Sequence, residues 1–187
     1  MAGISSGGSS PPVTVLFVCL GNHCRSPAAH AVAEAMMHGT PARIGDGRFD
    51  SAGTGRSHVG DPPHPMAIAE GAHRGYRVGH RSRQIHPDDF ANFDLIVAMD
   101  RNNVDDLERM RGGVDLRHSC YAAVEPVQVQ LLRRWDPYAM PGDEDLPDPW
   151  GKTADAYRSM FDVIERCLPP LLDHLAWLRS EHTSTAH

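Results

Sequence analysis

The stretch VTVLFVCLGNHCRSPAAHAVAEAMM, Val13 to Met37, constrains this chain more than any other. A near-continuous apolar run, Val13–Val18, reads as a strand; glycine, asparagine, cysteine and arginine follow, and then an alanine-rich helical pattern. Pro27 suits the first turn of a helix reaching about His38, because the N–H it lacks has no partner there anyway. Further strand-like runs lie around Arg48–Ser51, at Asp94–Met99 and at Val127–Leu132, with helical patterns at Pro65–Arg74 and Arg101–Met110. The last helix carries the clearest stripe, with Tyr157, Phe161, Ile164, Leu168, Leu171 or Leu172, and Leu175 at three- and four-residue steps. Strands alternating with helices imply right-handed βαβ units, a mostly parallel central sheet and an α/β three-layer fold.

At 187 residues the chain has the length of one domain able to bury its own core. That domain is expected over 13–180, between a flexible Gly/Ser tail at 1–12 and a short tail at 181–187, with 111–126 and the acidic loop 137–147 least structured. Net charge is −6, from 24 acidic and 18 basic side chains spread along the chain, so no footprint for nucleic acid or an anionic membrane is visible. No apolar run reaches the roughly 20 residues a membrane span needs, and the N-terminus lacks the basic and apolar segments of a signal peptide. A cytoplasmic protein with reduced thiols at Cys19, Cys24, Cys120 and Cys167 is expected. The 12 histidines show no metal-ligand spacing, which leaves most of them as solvated surface residues, and no cofactor is expected. The GKT at 151–153 is no nucleotide loop, because Leu146 stands where the motif needs glycine.

In a parallel sheet, ligands sit beyond the carboxyl ends of the strands, which is where residues 19–26 lie. A tight loop closing on a helix N-terminus aims backbone N–H groups inward and forms an anion-binding nest, with Gly21 supplying the unusual dihedrals. Cys19 at its mouth feels the same field, which favours the thiolate and makes it a nucleophile. Arg25 offers a planar two-pronged donor to two oxygens of a tetrahedral oxyanion, and Ser26 is placed to donate its hydroxyl to Cys19.

Through VCLGNHCRSP at 18–27 the sequence resembles the low-molecular-weight protein tyrosine phosphatases. FDSAGTG at 49–55, GHRSRQI at 79–85, FDLIVAMDRNN at 93–103 and LPDPW at 146–150 extend the resemblance over about 13–178. It implies a flavodoxin-like four-stranded parallel sheet of the phosphotyrosine phosphatase I type, and hydrolysis of phosphomonoesters without metal. It makes Cys19 the nucleophile that takes the phosphoryl group. Arg25 and the backbone N–H groups of Leu20, Gly21, Asn22, His23, Cys24 and Arg25 become the phosphate cradle. Asn22, Ser26, Ser51 and His80 match positions that hold the loop in shape. The implied substrate is a phosphotyrosine-containing protein or small aryl phosphate, handled by a monomer or weak dimer.

A phenolate leaving group needs a proton and a phosphocysteine needs an activated water, so one carboxyl group serves both steps. Two Asp-Pro pairs compete, Asp136 and Asp148; Asp148 matches the family's Asp-Pro-aromatic motif, whereas Asp136 suits a turn cap. The rim departs from the family. His23 stands where tyrosine-specific members carry Ile or Leu and arginine-specific ones Thr. Ser57 replaces a common aromatic, Gly151 a second tyrosine, and His64 and Met66 a common Asp and Arg. Trp150 remains as an aromatic wall. Cys24 is placed to trap an oxidised Cys19 as a disulfide or to serve as a small buried side chain, and Cys120 and Cys167 look structural. The alternatives are a protein-arginine phosphatase, a thioredoxin-coupled arsenate reductase and a non-catalytic phosphate-binding module. On the leading reading, Asp148→Asn loses far more turnover of an aryl phosphate than Asp136→Asn; the opposite order would reassign the acid.

Overall fold

The computed structural model describes residues 12–39, 47–112 and 127–184. The expected N-terminal tail up to residue 11, Cys120 with nearly all of 111–126, and residues 185–187 lie outside the described residues. Four strands form: β1 (Thr14–Cys19), β2 (Arg48–Gly53), β3 (Leu95–Ala98) and β4 (Gln128–Leu131). All pair in parallel in the order β2-β1-β3-β4, the flavodoxin-like doubly wound order with its switch point beside β1. The helices are α1 (Arg25–Gly39), α2 (Pro65–His73), the short α3 (Asp89–Asn92), α4 (Arg101–Gly112) and α5 (Ala154–Ser184).

The two-residue period of β1 splits the core in two. Val15, Phe17 and Cys19 face Ala28, Ala29 and Val32 of α1 and Phe161, Ile164 and Leu168 of α5. Leu16 and Val18 face the other way, toward Ile96, Phe90 and Leu107. The buried alanines of α1 let its backbone lie close on β1 and β2, so the helix that starts at Arg25 is held rigidly above the strand that ends at Cys19.

Helix α5 carries the expected stripe, and it also contains Pro169 and Pro170, whose rings lack the N–H a helix interior uses. Each proline costs roughly 3 kcal/mol in an exposed helix. The flanking Cys167, Leu168, Leu171, Leu172 and Leu175 are all buried, at about 1.5–3 kcal/mol for a large apolar side chain, and together they outweigh the break. The helix continues through residues 181–184, which sequence reading assigned to the tail.

Strand β4 stops at Leu131, one residue short of expectation, because Leu132–Trp135 winds into a 3-10 turn that buries Leu132 and Arg133. The 137–147 loop has no regular secondary structure, yet it is tied down: Arg133 grips Asp143 at 2.7 Å and Arg101 grips Asp145 at 2.9 Å. Asp136 does receive the Tyr138 N–H at 3.1 Å, the expected turn cap, but it is also a buried charge centre. Arg166 donates to it at 2.7 Å and Arg133 at 3.1 Å. Burial alone would raise the Asp136 pKa; the bonds from Arg166, the Tyr138 N–H and Arg133 win and bring it down to about 2.

A carboxyl group whose folded pKa is depressed stabilises the fold above its unfolded value and loses that contribution as pH falls through the folded one. Asp136→Asn is therefore expected to lower the unfolding free energy by about 3 kcal/mol at pH 7, since it takes the carboxylate from Arg166 in α5 and leaves Arg133 with Asp143. Urea midpoints should show the gap between wild type and variant closing between about pH 4 and pH 2. Equal midpoints at pH 7 would show that the cluster contributes nothing.

Candidate active site

The carboxyl ends of β1 and β2 lie side by side, with Cys19 in register with Gly53. The chain leaves β1 through residues 20–24 and enters α1 at Arg25. Two amides of the neighbouring segment pin the departing loop: Thr54 N–H donates to Cys19 O at 2.9 Å and Gly55 N–H to Leu20 O at 2.8 Å. Glycine is required at 53, since a Cβ there would lie 2.7 Å from the Leu20 carbonyl oxygen and 2.9 Å from the Asn22 nitrogen.

The loop's unusual dihedral belongs to Asn22, at φ 50°, and not to Gly21. The sequence assignment to glycine is corrected: asparagine tolerates the left-handed region, and here its side-chain atoms and carbonyl are bonded. Fully buried, Asn22 donates Nδ2–H to Ser26 Oγ and to Ser51 Oγ, both at 3.0 Å. Its Oδ1 accepts the Arg83 N–H at 2.9 Å and the His80 Nε2–H at 3.1 Å, and its carbonyl accepts the Ser82 hydroxyl at 2.6 Å. Gly21 matters for another reason, because a Cβ there would lie 3.0 Å from the His58 ring. Burial, then His30, brings the His80 pKa down to about 4, so its ring is a neutral donor to Asn22 at neutral pH. The structure thus gathers Asn22, Ser26, Ser51 and His80 around the loop.

Cys19 Sγ lies 3.1 Å from Ser26 Oγ, and both are buried. The single Ser26 proton has two acceptors, the sulfur and the Ala52 carbonyl at 3.2 Å, and a thiolate draws it to the sulfur. Arg25, only 3% exposed, donates from one nitrogen to Asp100 at 2.5 Å and to Leu146 O at 3.1 Å, and from another to Asp148 at 2.7 Å. Burial opposes its charge, but Cys19, Asp148 and Asp100 outweigh burial and hold the guanidinium protonated. Asp148, 43% exposed, accepts the Trp150 N–H at 3.0 Å, which fixes the loop between Pro147 and Pro149.

These groups line one cleft of about 300 Å³: Cys19, Arg25 and Asp148 at its base, and His23, His58 and Trp150 among its walls. Leu20, Gly21, Cys24 and Ser57 complete it, and Asp136 is not part of it. Cys24 is a different kind of thiol from Cys19. Burial pushes its pKa up to about 12, and its sulfur lies 3.7 Å from the Tyr157 hydroxyl. Tyr157 in turn donates to His64 Nδ1 at 3.0 Å, and the same nitrogen caps α2 by accepting the Met66 N–H at 3.2 Å. His64, unexplained at sequence level, is thus both a helix cap and a partner of the loop.

Sequence reading missed Asp100, Ser82, Tyr157 and His58. Asp100 and Ser82 sit inside quoted motifs, and Tyr157 was taken only as part of the α5 stripe. The expectation that most histidines are solvated does not extend to His58, which packs against His23; burial lowers the pKa of His23 and His64, and neighbouring histidines lower it further. Cys167, completely buried with its pKa pushed up to about 12 by burial, sits in the core as a structural residue would.

The low molecular weight phosphotyrosine protein phosphatase family model matches residues 14–181. A low molecular weight protein-tyrosine-phosphatase of Streptomyces coelicolor is 35% identical over 159 residues, covering 84% of this chain and 90% of that one. The low molecular weight phosphotyrosine protein phosphatase of Sus scrofa is 35% identical over 161 residues, covering 86% and 94%. Among solved structures, a protein tyrosine phosphatase from Entamoeba histolytica superposes with a TM-score of 0.76 at 28% identity, covering 89% of this chain and 99% of that one. With the nucleophile loop, its supporting network and the sheet order in agreement, this chain belongs to the low molecular weight phosphotyrosine protein phosphatase family.

Proposed function

We propose that this protein hydrolyses phosphotyrosine in proteins, or small aryl phosphates, through a phosphocysteine on Cys19. The observation that carries the reading is the Cys19–Ser26 contact of 3.1 Å at the base of a cleft that also holds Arg25 and Asp148. The Cys19 thiolate attacks phosphorus as the ester P–O bond breaks, and the Ser26 hydroxyl stabilises the sulfur before attack and again as leaving group. Asp148 delivers a proton to the departing phenolate oxygen, then takes one from the water that attacks the phosphocysteine, releasing inorganic phosphate and restoring the thiolate.

Arg25 must change partners for this to happen. Its terminal nitrogen is held by Asp148 at 2.7 Å, and a dianionic phosphoryl group competes for the same donor. Arg25 then offers its fork to two phosphoryl oxygens, and Asp148 is released to carry the proton. Asp100 keeps the guanidinium anchored during the exchange, so it is a positioning residue. We place the reaction in the cytoplasm, on a monomer or weak dimer; the free thiols of Cys19, Cys24 and Cys167 suit a reducing compartment. Among the described residues no helix is long and apolar enough to cross a membrane. Arsenate reduction needs a relay of reactive thiols, and Cys24 and Cys167, both raised to about 12 mainly by burial, are poorly suited to one.

Three outcomes are expected with an aryl phosphate at pH 6 without metal. Cys19→Ser removes turnover. Asp148→Asn lowers kcat by about 10²–10³, the scale of general acid–base catalysis, and loses less with an activated leaving group such as para-nitrophenolate. Asp100→Asn lowers kcat/KM about tenfold, mostly through KM, because Arg25 loses one anchor. Full activity in Cys19→Ser would remove the reading.

A further inference from the structure

The cleft's cations are few. Among the described residues Arg25 is the only Lys or Arg lining it, and on the reading above that guanidinium is committed to the phosphoryl group. Around it stand the carboxylates of Asp100 and Asp148 and, on the rim, Asp61. A second negative charge on the substrate therefore enters an anionic field, in a protein whose net charge is −6.

A pair of histidines in the cleft bears on that field. The rings of His23 and His58 stack face to face, with centroids 4.0 Å apart and planes 5° apart. His64 meets His23 edge-on at 5.4 Å. His58 is aimed by Asp61, whose Oδ2 lies 3.2 Å from its Nδ1, and it closes over Gly21, where a Cβ would meet the ring at 3.0 Å. His23 Nδ1 is buried with no hydrogen-bond partner. His64 is a poor site for the proton, since its Nδ1 already accepts from Tyr157 and from the Met66 N–H. Among the described residues no three His, Cys, Asp or Glu side chains are arranged to hold a metal ion, so the trio is not a metal site.

We propose that the stacked imidazoles of His23 and His58 are a specificity-determining wall: when the pair carries a proton, it selects phosphorylated peptides that carry a carboxylate beside the phosphorylated residue. The inference rests on the phosphatase reading and names the substrate class within it. One proton is the limit because two imidazolium rings face to face at 4.0 Å repel. Burial, then the neighbouring His58 and His64, holds the His23 pKa below its ordinary range, while Asp61 and the Pro62 carbonyl act the other way. The other titratable or charged groups near the pair are Cys19, Arg25 and Asp148 in the cleft and Arg56 in the loop before His58.

The test compares two phosphotyrosine peptides of equal length, one with Glu on both sides of the phosphotyrosine and one with Gln. The full chain is assayed at fixed ionic strength from pH 5.5 to 7.5, where the peptide Glu is ionised throughout. In the wild type, the ratio of kcat/KM for the Glu peptide over the Gln peptide should rise about three- to fivefold toward pH 5.5, the scale of one partly exposed charge pair. His58→Asn should flatten the ratio at its high-pH value, and His58→Arg should hold it high and independent of pH, a rescue that a merely structural role would not produce. Each ratio is internal to one variant, so a loss of folded enzyme cancels. A wild-type ratio that stays level, or a His58→Asn ratio that still follows pH, overturns the inference and leaves the phosphatase reading standing. Turnover of neither peptide by the wild type overturns the phosphatase reading and the inference with it.

Discussion

Asn22 is the point on which the site turns. It holds a left-handed backbone conformation in complete burial, a state that costs about 1 kcal/mol or more for a non-glycine residue and persists only where the surroundings over-determine it. They do so here: its side chain and carbonyl bond to Ser26 of α1, Ser51 of β2, and His80, Ser82 and Arg83 of the segment after α2. One residue therefore ties three separate parts of the chain to the loop between Cys19 and Arg25. The loop keeps its shape because Asn22, completely buried, cannot relax without breaking those bonds.

Charge in this fold is organised by arginines set between pairs of carboxylates. Arg83 spans Asp50 and Asp89, Arg74 spans Glu70 and Glu165, and Arg133 spans Asp136 and Asp143. Arg25 between Asp100 and Asp148 looks the same but differs in place, because it lines the cleft together with Asp148. The other three join strands, helices and loops, and serve stability.

The two thiols of the loop show how burial and hydrogen bonding separate chemically identical groups. Cys19 faces a hydroxyl donor at the mouth of a nest of amides, and Cys24 faces inward against Tyr157 at the start of α5. Burial pushes the Cys24 thiol up to about 12 and keeps it protonated. Tyr157 and His64 carry this contrast outward, since the hydroxyl that meets the Cys24 sulfur also donates to the ring that caps α2.

Much of this was written in local pattern. The apolar run into LGNHCRSP, the Asp-Pro before the last helix and the α5 stripe depend on backbone periodicity and on neighbours within a few residues, which a single sequence displays. The strand and helix order, the place of Cys19 at a strand end, and the nearness of Ser26 follow from such signals. What tertiary structure alone decided are the meetings of distant side chains. Sequence could not show that Asn22 and not Gly21 takes the left-handed turn, because the bonds that sustain it come from residues 51 and 80–83. It could not show that Asp136 faces Arg166 and not the cleft, that Asp100 anchors Arg25, or that His23 and His58 stack. Nor could it show that Pro169 and Pro170 stay helical, since burial of their neighbours outweighs their own propensity. In each case the deciding energy is a contact between elements, and that exists only once the sheet has brought their ends together.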